Sequence, residues 1–128
     1  NPGDSPPGDM TYQDYIEKTT LPTLTYTAHA APLDMKFYTG ENFPAEYKND
    51  AFVAMRGSWN RSNPVGYKIV RLTFENGQPT EFEDFLTGFL INDGRTHIGR
   101  LAGLAIHPDG ALLISDDTNG IIYKVSYD

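Results

Sequence analysis

The side chains best suited to chemistry lie between two apolar segments, residues 51–55 and 67–74. The connection between those segments carries Arg56, Trp59, Asn60 and Arg61 among glycines. A guanidinium presents a planar fork of donors to a carboxylate, and an indole offers a flat stacking face. The composition of the loop therefore predicts a site that binds anions and aromatic groups. The alternative is an ordinary surface connection with a buried tryptophan and solvated arginines.

Composition supports a folded protein with a small-anion site. The chain has 128 residues, of which 39% are hydrophobic and 12% aromatic, which is enough for one domain with a core. A net charge of -7 and a pI of 4.8 argue against nucleic acid as a partner. The arginines nevertheless cluster in the middle of the sequence, at Arg56, Arg61, Arg71, Arg95 and Arg100. This clustering predicts a locally positive site in an acidic protein.

Several kinds of site and segment are excluded by what the sequence lacks. Without cysteine there is no disulfide, thiolate metal site or cysteine nucleophile. No apolar run approaches the roughly 20 residues that cross a bilayer, and no signal peptide opens the sequence. The sequence begins NPGDSPPGD, inside proline and glycine punctuation, so we expect a fragment or a processed product.

Residues 1–24 are predicted to be a surface loop or linker. A short helix over residues 12–18, capped by Asp9 or Thr11, is the alternative. Because Pro22 and the threonines before it would end such a helix at once, we favour the loop.

From residue 24 onward the pattern is typical of short strands. They are predicted at residues 24–28, 35–38, 51–55, 67–74, 80–85, 101–107, 111–115 and 121–127. Tight turns are predicted at Asn76-Gly77, Asp109-Gly110 and Asn119-Gly120, since these dipeptides tolerate positive φ. The segment 51–55 is continuously apolar and should be buried on both faces. Strands joined in this way indicate an antiparallel meander.

The meander repeats, which favours an all-β fold of about two β-propeller blades. Residues 25–90 form one four-stranded blade on this interpretation, and residues 99–128 form three strands of the last blade. Two blades cannot close a ring. We therefore expect the remaining blades, or a second copy of the chain, to cover the exposed edges.

Three segments, residues 29–44, 52–72 and 99–127, resemble the C-terminal third of soluble quinoprotein sugar dehydrogenases of the glucose/sorbosone dehydrogenase family. The resemblance covers nearly the whole chain from residue 25, and its most specific motif is GSWNRS followed by GYK. It implies a six-bladed propeller that binds pyrroloquinoline quinone (PQQ) and calcium. It also implies oxidation of a sugar by hydride transfer to the quinone, and a periplasmic or secreted location.

The same resemblance implies roles for five residues in binding the cofactor. Arg56 and Arg100 would face one another across the channel mouth and hold the carboxylates of PQQ. Trp59 and Arg61 belong to the GSWNR motif and would line the mouth, and His29 matches the histidine that opens the preceding blade.

No catalytic residue or metal ligand is assigned to this chain. The catalytic histidine of the family lies in an earlier blade, and His29, His97 and His107 are not in its context, so the fragment alone should be inactive. Asp116 and Asp117 are adjacent and should point to opposite faces, which favours a turn role over an acid/base pair. Two functions remain open. One is part of a quinone-dependent sugar dehydrogenase; the other is a non-catalytic propeller fragment that serves as an interaction or sugar-binding module.

Overall fold

The computed structural model describes residues 5–128, so the first four residues of the proline- and glycine-rich start lie outside it. Strands dominate the described part of the chain. In order, its elements are α1 (Tyr12–Lys18), β1 (Pro32–Phe37), a 3-10 turn (Ala45–Tyr47), β2 (Ala51–Met55), β3 (Lys68–Glu75), β4 (Gln78–Leu86), β5 (Leu90–Ile91), β6 (Thr96–His97), β7 (Leu101–Ile106), β8 (Leu112–Asp116) and β9 (Ile121–Val125).

The strands form antiparallel meanders. One sheet has the order β1-β2-β3-β4, a second has the order β7-β8-β9, and the short β5 and β6 pair with each other between them. Within each sheet, every strand therefore pairs with its neighbours in sequence. The predicted all-β meander, which corresponds to part of a β-propeller, is confirmed.

The core is built around β2, whose five residues are all buried. Phe52 and Ala54 face the three-stranded sheet and share a cluster with Leu101 and Leu112. The alternate residues of β2 belong to a second cluster on the opposite face of the four-stranded sheet. Burial of this segment on both faces, expected from its continuous apolar sequence, is confirmed.

Two polar contacts fix the large sheets against each other. The Asp34 carboxylate in β1 accepts a hydrogen bond of 2.8 Å from the backbone N–H of Leu104 in β7. The buried Tyr38 hydroxyl donates to the Gly110 carbonyl (2.9 Å) and accepts from the N–H groups of Asn42 (3.0 Å) and Phe43 (2.9 Å). The sheets are thus joined as adjacent blades.

Apolar side chains remain exposed on the outer faces of both sheets. Leu33, Met35 and Phe37 alternate along β1 and face away from the three-stranded sheet, and Ile122 is exposed on β9. Contiguous apolar surface of this kind marks a contact face, and the outer edge of β9 has no partner strand among residues 5–128. These faces suit further blades on either side.

The segment before β1 differs from the prediction in two ways. Residues 12–18 form a helix rather than a loop, because the Thr11 side chain accepts from the Asp14 N–H while Asp14 reaches back to the Thr11 N–H. This capping box provides acceptors for backbone N–H groups that would be hydrogen-bonded to water if the segment were the predicted loop. Residues 24–28 form no strand, since they have no neighbouring strand to pair with; Leu24 and Tyr26 pack instead on the second cluster.

The loops gather at two opposite ends of the sheets. We call residues 28–31, 56–67, 87–100 and 116–120 the site end, and residues 38–50, 76–77 and 107–111 the far end. At the far end, Asn76 and Gly77 have φ values of 51° and 77°, which confirms the tight turn between β3 and β4. No helix in the described part of the chain has the length and apolar character needed to span a bilayer.

Candidate functional site

The loop between β2 and β3 is closed by hydrogen bonds across its base. The Ser58 N–H donates to the Val65 carbonyl (3.0 Å), and the Val65 N–H donates to the Ser58 hydroxyl (3.2 Å). The Tyr67 hydroxyl donates to the Ser58 carbonyl. Residues 59–64 therefore project as a loop from a fixed base, and this loop carries Trp59 and Arg61.

A second wall is formed by the hairpin of β5 and β6. Its turn places Asn92, Asp93 and Gly94 at positive φ (53°, 54° and 79°), a conformation that suits these residue types. Arg95 follows the turn, and His97 stacks on the Tyr67 ring with centroids 5.3 Å apart and an interplanar angle of 23°. The hairpin thus lies against the base of the first loop.

Between the two walls lies a cavity of about 250 Å³. Its lining combines the loop after β2, the hairpin and the residue before β7: Ser58, Trp59, Arg61, Pro64, Tyr67, Leu90, Gly94, Arg95, His97 and Arg100. Three guanidiniums and one imidazole contribute to this lining, and no carboxylate does. The cavity is therefore suited to an anion.

Ion pairing separates the arginines into two groups. Arg56 pairs with Asp117 (2.7 Å) and Arg71 pairs with Asp50 (2.6 Å), and neither arginine lines the cavity. The other three, Arg61, Arg95 and Arg100, form no ion pair with a carboxylate among residues 5–128, and all three line the cavity. Among residues 5–128, the arginines that pair with no carboxylate are therefore the ones that line the cavity.

Arg100 is the deepest of the three. Its Nε atom is buried and has no hydrogen-bond partner within the described residues. Its backbone is held on both sides, because its N–H donates to the Asp116 carboxylate (3.1 Å) and its carbonyl accepts from the Asp117 N–H (3.1 Å). A buried donor without an acceptor is unfavourable, so this geometry suits an acceptor supplied by a ligand.

Asp116 organises the turn beside Arg100. Burial alone would raise the pKa of the Asp116 carboxyl, but hydrogen bonds from the Asn119 side chain and from the N–H groups of Arg100, Thr118 and Asn119 outweigh it, so the pKa lies below its ordinary value. Tyr123 adds a hydroxyl donor at 3.1 Å. Asp116 is buried and Asp117 is exposed, which agrees with the predicted turn role and not with an acid/base pair.

The predicted site residues are brought together only in part. Trp59 is 88% exposed at the cavity mouth, and Arg61 beside it donates to the Ala28 carbonyl at 2.8 Å. The alternative of a buried tryptophan is therefore wrong. His29 is exposed at a φ of 70° and does not line the cavity; Arg56 also lies outside the lining.

Among the cationic and aromatic side chains of the lining, Tyr67, Arg95 and His97 were not singled out as site residues from the sequence. A signal existed for two of them, since Arg95 and His97 follow directly after an Asn-Asp-Gly turn and are separated by one residue. Nothing in the sequence placed that hairpin opposite the loop after β2.

The described residues offer little to a metal ion. Within residues 5–128 no group of three or more His, Asp or Glu side chains is close enough together to hold one. The donor set of the cavity consists of cationic and aromatic side chains, which do not fit calcium. We therefore assign no calcium ligand to this chain.

One family model and several known proteins are similar in sequence to this chain. A model of the TrAA12-like family matches residues 7–128. A PQQ-dependent pyranose dehydrogenase of Coprinopsis cinerea is 33% identical over 151 aligned residues, which cover 95% of this chain and 20% of that protein. An uncharacterised protein of Borreliella burgdorferi is 46% identical over 103 residues, which cover 79% of this chain and 27% of the relative.

Solved structures agree with these relatives. The calcium structure of a Trichoderma reesei enzyme of carbohydrate-active family AA12 superposes with a TM-score of 0.77 at 29% identity, over 94% of this chain and 30% of that one. The holo form of the PQQ domain of Coprinopsis cinerea pyranose dehydrogenase gives a TM-score of 0.75 at 30% identity, over 94% of this chain and 32% of that one. The chain thus spans about a third or less of the length of these relatives.

The resemblance to quinoprotein sugar dehydrogenases is confirmed by these matches. The family model covers the sheets, the cavity and the helix, so both walls of the candidate site fall within the matched region. The chain belongs to the TrAA12-like family.

Proposed function

We propose that this chain supplies one wall of a PQQ pocket in a quinone-dependent sugar oxidoreductase. The observation that carries the proposal is a set of three arginines around one cavity that pair with no carboxylate among residues 5–128; within the same residues the buried Nε of Arg100 has no acceptor. PQQ is an aromatic tricarboxylate, so it offers acceptors to guanidiniums and a flat face to an indole. The residues present fit that group.

Each residue has a distinct task on this proposal. Arg100 donates from a buried position, where a charged hydrogen bond is strongest. Arg61 and Arg95 lie on opposite walls and can orient carboxylates from two sides. Trp59 covers the mouth and excludes water. PQQ itself, when bound, supplies the acceptor for the hydride that leaves the sugar.

The role of Arg56 is narrower. Its guanidinium donates from Nε (3.0 Å) and Nη2 (2.7 Å) to the same Asp117 oxygen. Because Asp117 also donates its N–H to the Arg100 carbonyl, the Arg56–Asp117 pair braces the backbone that positions Arg100. Arg56 and His29 contact the cofactor only if the rest of the protein draws them toward the cavity.

The remaining parts of the enzyme belong to other segments. We infer that further blades cover the exposed faces of both sheets, that they carry the catalytic base and any calcium, and that the substrate is an aldose or sorbosone-like sugar. A periplasmic or secreted location goes with this class of enzyme. The chain by itself is expected to be inactive, since none of its histidines has the context of the catalytic residue.

The test is a titration of the whole protein that carries this chain with PQQ, followed by absorbance. Arg100→Ala and Arg61→Ala should weaken binding about ten- to a hundredfold, which is the loss of one charge-assisted hydrogen bond. Lys48→Ala is a control of equal charge change, because the Lys48 ammonium contacts the Thr39 and Gly40 carbonyls at the far end. Unchanged affinity in both arginine variants, with intact folding, favours the interaction or sugar-binding module instead.

A further inference from the structure

We propose that Tyr67 is a positioning residue that holds the two walls of the cavity in register, and with them Trp59 and His97. The inference rests on the proposed function only where it concerns PQQ, since the geometry of the two walls is a property of the protein itself. Tyr67 was not among the residues expected to form the site.

The backbone of Tyr67 has an unusual conformation. Its φ is 56°, in the left-handed region that bulky side chains seldom adopt. It comes immediately before β3, and Gly66 before it also has a positive φ of 83°. Such a conformation persists only where the surroundings determine it strongly, and it is concentrated at ligand sites. The contacts of this side chain supply that determination.

The hydroxyl fixes the first wall. Tyr67 donates a buried hydrogen bond to the carbonyl of Ser58, the residue directly before Trp59. Because Ser58 also exchanges two bonds with Val65, its peptide is held from both the loop and the ring. The backbone that leads into Trp59, whose indole is exposed, is therefore fixed in position.

The ring joins the first wall to the second. The ring lies so close to Gly57 that a Cβ there would sit 2.4 Å from a ring carbon, a distance no side chain tolerates. The same ring stacks on His97 of the hairpin. Gly57 and His97 thus contact the same aromatic ring. Because they belong to the two walls of the cavity, the Tyr67 ring sets the distance between those walls.

Tyr67 is not a member of either apolar core cluster, although it is buried. Tyr38 provides the contrast, because its ring belongs to the main cluster and its hydroxyl serves the far end. Two buried tyrosines therefore differ in what they hold, one the junction of the sheets and the other the walls of the site.

This difference gives a matched pair of variants, Tyr67→Phe and Tyr38→Phe, each of which removes one buried hydroxyl. The whole protein is labelled with 5-fluorotryptophan, and its Trp59 resonance is assigned in the ¹⁹F NMR spectrum by its loss in Trp59→Phe. We expect that resonance to shift or broaden in Tyr67→Phe and to stay unchanged in Tyr38→Phe. The dissociation constant for PQQ should rise about three- to tenfold in Tyr67→Phe alone, as for one neutral hydrogen bond.

A second variant, Tyr67→Leu, removes the stacking on His97 as well and should weaken PQQ binding by more than tenfold. An unchanged Trp59 resonance in both Tyr67 variants, or an equal change in Tyr38→Phe, overturns the inference. If the wild-type protein binds no PQQ, the proposed function fails, while the Trp59 resonance still decides whether Tyr67 positions the wall.

Discussion

The two ends of the sheets use the same residue types in opposite ways. At the far end Arg71 donates to Asp50 (2.7 Å) and to the Glu46 carbonyl, and its guanidinium lies 4.2 Å from the Tyr47 ring centroid. At the site end the Nε atom of Arg100 is also buried, yet it has no hydrogen-bond acceptor among residues 5–128. One arginine is fully engaged by the protein, and the other is left available.

The two ends of the sheets differ in how fully their buried polar groups find partners. Buried polar groups normally find partners, and the far end follows that rule through Asp50, whose second oxygen accepts from the Phe74 N–H at 3.0 Å. The site end departs from it at Arg100 and holds Tyr67 at a φ that costs about 1 to 3 kcal/mol. An unsatisfied donor and a strained backbone thus occur together at the site end, where we propose that a ligand binds.

The largest effect is expected from breaking the far end. Asp50→Ala leaves the Phe74 N–H without its acceptor and removes the carboxylate that pairs with Arg71, in a pair whose side chains are only 9% (Asp50) and 14% (Arg71) exposed. Arg71 keeps the Glu46 carbonyl as an acceptor. We expect the free energy of unfolding to fall by about 3 kcal/mol, measured by denaturant titration, with PQQ affinity retained. Asp50→Asn keeps the shape and should lose less. A loss below about 1 kcal/mol would show that the two ends do not differ as described.

Arg100→Ala tests the site end by the same two measurements, PQQ affinity and the free energy of unfolding. PQQ affinity should fall about ten- to a hundredfold, whereas the ligand-free protein should lose little stability, since a buried N–H without an acceptor is itself unfavourable. Arg71→Ala is the matched control and should give the reverse result, with stability lost and affinity kept. If both variants lose stability equally, Arg100 is a structural residue.

A smaller effect is expected from acid at the turn beside Arg100. Hydrogen bonds lower the pKa of Asp116 below the ordinary 3.8, although burial opposes them, so the carboxylate stabilises the folded state above about pH 3.8 and this contribution is lost as pH falls through the folded-state pKa. The free energy of unfolding, followed against pH, should therefore fall more steeply below pH 4 in the wild type than in Asp116→Asn. Parallel curves would contradict this role.

The smallest effect is expected for Arg56. The side chains of Arg56 and Asp117 are 28% and 41% exposed, and exposed pairs of this kind contribute less than about 1 kcal/mol. Arg56→Ala should change PQQ affinity less than about threefold, because the guanidinium lies outside the cavity and is already neutralised. Asp117→Ala should match it. A tenfold loss of PQQ affinity in Arg56→Ala but not in Asp117→Ala would indicate that Arg56 contacts the cofactor.

Much of the fold was predictable because its signals are local. The Asn76-Gly77 turn predicted the pairing of β3 with β4, and the continuous apolar run of β2 predicted its burial on both faces. Helix α1, with Thr11 as its cap, was the alternative rather than the favoured prediction, because Pro22 and the threonines before it argued against a helix. The hairpin of β5 and β6 was missed because two-residue strands carry almost no periodicity.

The site was less predictable because it depends on which arginines are neutralised. Nothing in the local sequence distinguishes Arg56 from Arg95, yet Asp117, 61 positions away, pairs with the first and no carboxylate among residues 5–128 pairs with the second. Trp59 and Arg61 were predictable from their motif. Tyr67 was not, since its role arises from a positive φ and from contacts with both walls.

The junction of the two sheets at the far end also limits how this protein can diversify. A Cβ on Gly40 would lie 2.7 Å from the Tyr38 hydroxyl and 2.8 Å from the Gly110 backbone, so the two main chains touch there with no side chain between them. Even alanine at Gly40 would force the blades apart. Substitution is therefore restricted at that junction. Relatives of this fold that bind other ligands are expected to differ in the parts of the site end whose side chains line the cavity, such as residues 59–64.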